Sequence, residues 1–167
     1  MKHFITTVCL LICITTSSLS AQTNVNRLDS IIPTRGLAIA APSVQKMDLF
    51  LKFIEEELAP GHFNLLILRV DWNYDYKSHP ELSDPNPLTL QDVKRIVTTC
   101  RKHNIRIAPQ INLLGHQSWA ETTYALLRVY PEFDETPHVD TKNYIGWPNP
   151  DGLYCKSYCP LHPDVHK

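Results

Sequence analysis

The chain has 167 residues, with 16 Lys and Arg against 17 Asp and Glu and a formal net charge of −1. The cations are scattered, so the sequence offers no electrostatic footprint for nucleic acid or for a membrane surface, and a neutral partner suits it better. Thirteen Pro against five Gly point to stiffened loops rather than flexible linkers, and no internal repeat is present.

Lys2 and His3 lead an apolar run from Phe4 to Ile14, and small residues follow up to Ala21. That is the order of a secretory signal peptide, so residues 1–21 are read as an export signal cut after Ala21 or Ser20, and the mature protein as secreted or periplasmic. The run is too short to span a bilayer comfortably, and no Cys follows the cut, so no membrane anchor is expected. What remains is long enough for one domain with a real core.

Residues 22–34 read as an exposed lead-in. Residues 36–41 (GLAIAA) have the composition of a short buried strand, closed by Pro42, with Ser43 as N-cap of a helix. Val44, Met47, Leu51, Ile54 and Leu58 recur at helical steps, and Ala59-Pro60-Gly61 stops them. Residues 65–70 (LLILRV) are continuously apolar but for Arg69, which suits a parallel strand covered on both faces.

Asp71 and Trp72 stand at the end of that strand, and the loop onward carries Asn73, Tyr74, Asp75, Tyr76, His79 and Glu81 before the Asp84-Pro85-Asn86-Pro87 turn. Rings that stack on pyranose faces, mixed with carboxylates that accept hydroxyl protons, suit a sugar site. A packed loop with Asp71 as a cap is the plain alternative, and strand-end position leaves both open. Thr89-x-x-Asp92 resembles a capping box and opens a second helix with Val93, Ile96, Val97 and Cys100 inward. The cations at its end, His103 among them, complement the helix dipole as a solvated face.

Residues 105–119 (IRIAPQINLLGHQSW) organise the chain. A short strand gives way to Gln110, Asn112 and His116, polar groups collected where α/β folds put active sites. Ser118-x-x-Glu121 reads as a capping box that begins a third helix over residues 119–130, with Leu126 and Leu127 inward and Pro131 as its stop. Residues 131–163 show no regular element, yet Tyr144, Trp147, Tyr154 and Tyr158 argue for order, and an ordered loop of this length is usually functional.

The succession strand, helix, strand, helix, strand, helix is that of βα units. The fold expected is α/β: the first three βα units of a (β/α)8 barrel and a long loop leading to the fourth strand. A closed barrel takes about 250 residues, so residues 35–167 are read as the N-terminal part of a truncated barrel domain. Three units alone leave strand edges unpaired.

Of the cysteines beyond the signal, Cys100 falls on a buried helix face, so Cys155 and Cys159 are the expected disulfide in an oxidising compartment. Cys155, Cys159, His162 and His166 are too close together for a zinc finger, so no metal is expected, and no cofactor motif is present.

Four short motifs, in order, carry a resemblance. Pro109-Gln110-Ile111-Asn112-Leu113-Leu114-Gly115-His116 lies in register with the P-E-x-D-x-P-G-H motif of glycoside hydrolase family 20, the β-N-acetylhexosaminidases. Leu68 to Asp71 followed by Pro80-Glu81-Leu82 resembles that family's second-strand ending. Tyr130-Pro131-Glu132 and Cys159-Pro160 resemble its Tyr-Pro-Glu and Cys-Pro. The resemblance implies a barrel exo-glycosidase acting on a carbohydrate by substrate assistance: the 2-acetamido oxygen attacks the anomeric carbon while a glutamic acid protonates the leaving oxygen.

It also implies that Asp71 and His116 form a hydrogen-bonded relay to that acid. Trp72, Gln110, Asn112 and Trp119 are the residues expected to bind substrate. For His116, a buried structural role is the alternative that the motif disfavours. The sequence departs from the pattern at Ala40 and Ser43, where the family has Asp and a sugar-gripping Arg, and at Gln110 and Asn112, which stand for Glu and Asp. The resemblance puts the catalytic Asp-Glu pair beyond Lys167, so the chain by itself is expected to be inactive. A carbohydrate-binding barrel without catalysis is the alternative from another class.

Overall fold

The computed structural model describes residues 30–113, 115–119, 122–139 and 155–165. The stretch read as an export signal, most of the lead-in, Leu114, Glu121, Tyr144, Trp147, Tyr154 and His166 lie outside the described residues.

Three strands, β1 (Gly36–Ala40), β2 (Leu65–Arg69) and β3 (Arg106–Gln110), form a wholly parallel sheet in the order β1-β2-β3. Sequential order fixes where the helices go. Each crossover between parallel neighbours is right-handed, so successive connections in one direction lie on the same face of the sheet. Leu66 and Leu68 of β2 are buried there against Met47, Phe50, Ile54, Ile96 and Cys100, with Leu37, Ile39 and Ile107 alongside. This is an α/β arrangement consistent with part of a β/α barrel.

The opposite face carries Ala38, Ile67 and Ala108 in one register row and Ala40, Arg69 and Gln110 in the next. No helix of the main core covers it, so the expectation that β2 is covered on both faces is corrected. Leu65 and Ile67 are only half-buried and Arg69 is exposed.

The helical segment expected over residues 44–58 forms in three pieces. A 3-10 turn (Val44–Lys46) leads into α1 (Met47–Phe53), and a π-helical turn (Ile54–Leu58) ends it. Ser43 occupies the N-cap without a side-chain cap bond, because the tight first turn is closed by Lys46 N–H donating to Ser43 O at 2.9 Å. Beyond the π turn the backbone folds back so closely at Gly61 that a Cβ would lie 2.9 Å from Glu57 O. α2 (Leu90–Lys102) starts as read: Thr89 Oγ1 accepts from Asp92 N–H at 3.2 Å and Asp92 Oδ2 accepts from Thr89 N–H at 2.9 Å. Cys100 is fully buried, and burial pushes its thiol up to about 11.

The third helix is a correction. Ser118 does not cap it. Instead β4 (Ser118–Trp119) pairs antiparallel with β5 (Thr122–Thr123), and α3 is confined to Ala125–Val129. Ser118 Oγ accepts from Lys156 N–H at 2.8 Å, so a partner 38 residues away takes the acceptor a cap would have used. α3 buries Ala125, Leu126 and Leu127 against Trp72, Leu82 and Phe133, a second core apart from the main one.

The long loop is ordered where described. A 3-10 turn (Pro131–Phe133) precedes Asp134, which bridges to Tyr158, and Cys159 N–H donates to Phe133 O at 2.7 Å. Lys156 Nζ pairs with Asp134 inside this loop and donates to Thr136 O at 2.9 Å. Cys155 and Cys159 are both free thiols, so the expected disulfide is not formed. The residues between them are held by separate partners, Lys156 to β4 and Tyr158 to Asp134.

Candidate functional site

The ends of β2 and β3 meet through backbone first. Val70 N–H donates to Gln110 O at 2.8 Å, and Ala41 N–H donates to Arg69 O at 2.8 Å, so the three strands finish level. Asp71 then turns the chain with φ at 44°, a left-handed conformation that Asp tolerates better than most side chains. Its Oδ1 accepts from Asn112 N–H at 2.9 Å, and its Oδ2 lies 3.2 Å from Arg69 Nε. One carboxylate therefore ties the loop after β3 to the end of β2.

Around it lies a cavity of about 440 Å³, walled by Arg69, Asp71, Trp72 and Asp84 from one side and Asn112, His116, Trp119 and Tyr124 from the other. Trp72 is buried, whereas Trp119 is 47 % exposed. The His116 and Trp119 rings lie nearly parallel, 17° apart with centroids at 6.5 Å. Tyr76 supports the wall from behind, its hydroxyl donating to Asp71 O at 2.6 Å. Burial first, and then the Asp71 charge, raise the Tyr76 phenol above its ordinary range, which keeps it a neutral donor.

Chemically, the cavity combines two carboxylates, one guanidinium, one imidazole and two indoles. Such a set can stack an apolar sugar face, hydrogen-bond hydroxyls from both directions and relay a proton.

Five of the residues singled out in the sequence thus line one cavity: Asp71, Trp72, Asn112, His116 and Trp119. Gln110 does not line it. Its backbone carbonyl holds Val70, and strand alternation sets its side chain on the open face of the sheet beside Arg69. The two Asp71 oxygens are engaged by Asn112 N–H and by Arg69.

Reasoning from sequence missed Arg69, Asp84 and Tyr124. For Arg69 a signal existed, since a guanidinium inside an apolar strand demands a reason. It also missed how two motifs meet: Tyr130 of the Tyr-Pro-Glu segment donates its hydroxyl to Glu81 of the Pro-Glu-Leu turn, which His79 Nδ1 approaches at 3.2 Å. A larger trough of about 720 Å³ runs between α2 and β3, but its lining is chiefly aliphatic, including Leu68, Val70, Val97 and Ile107. It holds no titratable acid or imidazole, so the smaller cavity is the better candidate for chemistry.

No family model matches the sequence, and no curated protein matches it. Solved structures do. The chain is similar to the chitobiase of Flavobacterium johnsoniae, a glycoside hydrolase family 20 protein, with a TM-score of 0.57 and 23% identity. That alignment covers 80% of this chain and 20% of the other. It is also similar to a glycoside hydrolase family 20 β-N-acetylglucosaminidase, with a TM-score of 0.53 and 17% identity, over 80% of this chain and 31% of that one. The chain therefore shares the fold of part of these enzymes and spans a fifth to a third of their length.

Proposed function

We propose that the chain supplies one arc of a glycosidase barrel that acts on terminal N-acetylhexosamines, and that the cavity around Asp71 and His116 is its share of the sugar site. The observation that carries the reading is the cavity itself. Indole, carboxylate and imidazole groups converge past the C-terminal ends of parallel strands, in a chain folded like part of two family 20 enzymes. Hydrolysis would follow the substrate-assisted route, the acetamido oxygen closing on the anomeric carbon as an acid protonates the leaving oxygen. His116 and Asp71 would orient and polarise that acid rather than act as it. The order of residues 1–21 supports export of the protein. No helix among the described residues is long and apolar enough to cross a membrane.

One observation favours a second reading, carbohydrate binding without catalysis: Ala40 and Ser43 stand where the resemblance expects Asp and a sugar-gripping Arg. A single set of measurements separates the two. The chain alone should bind N-acetylglucosamine without turning over chromogenic N-acetylglucosaminides, and the protein expressed from its whole reading frame should turn them over. In that protein Asp71→Ala and His116→Ala should each lower kcat/KM by about 10² to 10⁴, with a double variant no worse than the poorer single, as for residues acting as one unit. Binding without turnover in both proteins selects the second reading. Absence of binding in both removes the carbohydrate reading.

A further inference from the structure

Gln117 lies next to His116 and has no exposed surface, although its side chain is polar. The loop after β3 is wrapped around it. Its Nε2 donates to Asn112 O at 2.7 Å and approaches Leu113 O and Gly115 O at 3.2 Å each. Two amide protons meeting three carbonyls means that one is shared, and three acceptors on one side fix which end of the amide is nitrogen. Its own backbone is pinned on both sides: Gln117 N–H donates to Lys156 O at 2.8 Å, and Gln117 O accepts from Tyr124 N–H at 2.8 Å. The side chain is therefore a fixed post.

The consequence falls on the residues before it. With its carbonyl held, Asn112 turns its N–H to Asp71 Oδ1, while His116 is kept at φ 56°, a conformation that an unbraced histidine leaves. Gln117 Oε1 is buried without a hydrogen-bond partner among the described residues. An apolar side chain of the same length would fill the space but leave the three carbonyls without their donor, so the amide is kept for what its nitrogen gathers, at the cost of one orphaned oxygen.

We propose that Gln117 is a positioning residue: by gathering the carbonyls of Asn112, Leu113 and Gly115, it sets the wall that presents Asn112 and His116 to the cavity beside Asp71. The proposal rests on the carbohydrate reading only for what that wall binds. Gln117 touches no ligand and acts through the loop backbone.

The test uses the full chain with Gln117→Glu, which keeps the shape and loses the donor protons, and Gln117→Met, which keeps the length and removes both polar ends. Amide exchange and ¹H–¹⁵N spectra are read beside the affinity for N-acetylglucosamine. In both variants the Asn112 amide should lose at least about tenfold in protection while the α2 amides keep theirs. The His116 ring resonances should shift, and sugar affinity should fall about tenfold. Unchanged Asn112 and His116 signals in a folded Gln117→Met chain overturn the proposal. Should neither variant fold, the wild-type Nε2 protons decide: slow exchange with contacts to the Asn112 to Gly115 loop upholds it, and fast exchange with averaged signals overturns it. A wild type that binds no sugar while Asn112 and His116 still respond to Gln117 would remove the carbohydrate reading and leave the positioning role standing.

Discussion

The two cores of this molecule are built on different physics. In the main core, regular elements bring their own apolar stripes, and Met47, Ile54, Leu66, Ile96 and Cys100 meet with at most 2 % exposure. In the second, Trp72, Leu82, Leu126 and Phe133 are brought together by backbone with little regular structure. There the work of a helix ladder is done by side chains: Lys156 pairs with Asp134, Ser118 accepts from Lys156, and Gln117 holds three carbonyls. The first region fixes the strand ends, and the second carries most of the wall facing Asp71. A rigid sheet thus presents one half of the cavity, and a tethered loop presents the other.

The largest expected effect breaks the tether. The Lys156 side chain is 8 % exposed and that of Asp134 is 11 %. Removing one partner of a buried pair leaves an uncompensated charge, a loss of about 3 to 5 kcal/mol. Lys156→Met should therefore open the hairpin and the 131–139 turn to hydrogen exchange while α2 keeps its protection. Adding Asp134→Leu should recover much of the loss, because the orphaned carboxylate goes with it. Equal loss of protection in α2 and the loop would show that the two cores unfold as one.

How much of this was legible in the sequence follows the same division. β1, β2, β3 and α2 lie where short apolar runs and three- and four-residue steps put them, because their partners are near and periodic. The capping boxes make the contrast. Thr89 and Asp92 satisfy each other within one turn, whereas Ser118 spends its hydroxyl on Lys156, a choice no window around Ser118 can reveal. Trp72, Asn112 and His116 are singled out by residue type and strand-end position, and they meet at one cavity. Lys156 could not be singled out, since its role rests on contacts with distant segments, and Gln117 could not, since a loop folding back onto a neighbouring amide leaves no pattern of residue types. Gln110 shares its sheet face with Arg69 but lies outside the cavity lining.

A middle-sized effect tests the regular half. Thr89→Ala removes the acceptor for Asp92 N–H and should cost about 1 kcal/mol, read as a lower denaturant midpoint with unchanged slope. Since α2 belongs to the main core, exchange at Asn112 should stay at its wild-type rate. A faster Asn112 amide would mean that the cavity wall leans on α2 after all.

The smallest effect lies where the loop after β2 touches α3. The hydrogen bond from Tyr130 holds the Glu81 carboxyl below the usual glutamate range, with Glu81's own backbone bond and His79 adding to it. The same bond raises the Tyr130 phenol. A depressed carboxylate contributes stability that is present above its unfolded pKa and is lost as pH falls through the folded one. A raised phenol contributes stability that is lost as pH climbs through its folded pKa. Tyr130→Phe removes both contributions, so Glu81 should titrate at higher pH, nearer the ordinary glutamate range, while still held down by its backbone bond and His79. Because the contact is exposed, the stability change should be small. Carboxyl ¹³C titration of Glu81 in the wild type and in Tyr130→Phe checks it. A Glu81 curve that does not move would mean that Tyr130 merely rests against the turn, and that α3 is held to the loop after β2 by the packing of Leu82 and Leu126 alone.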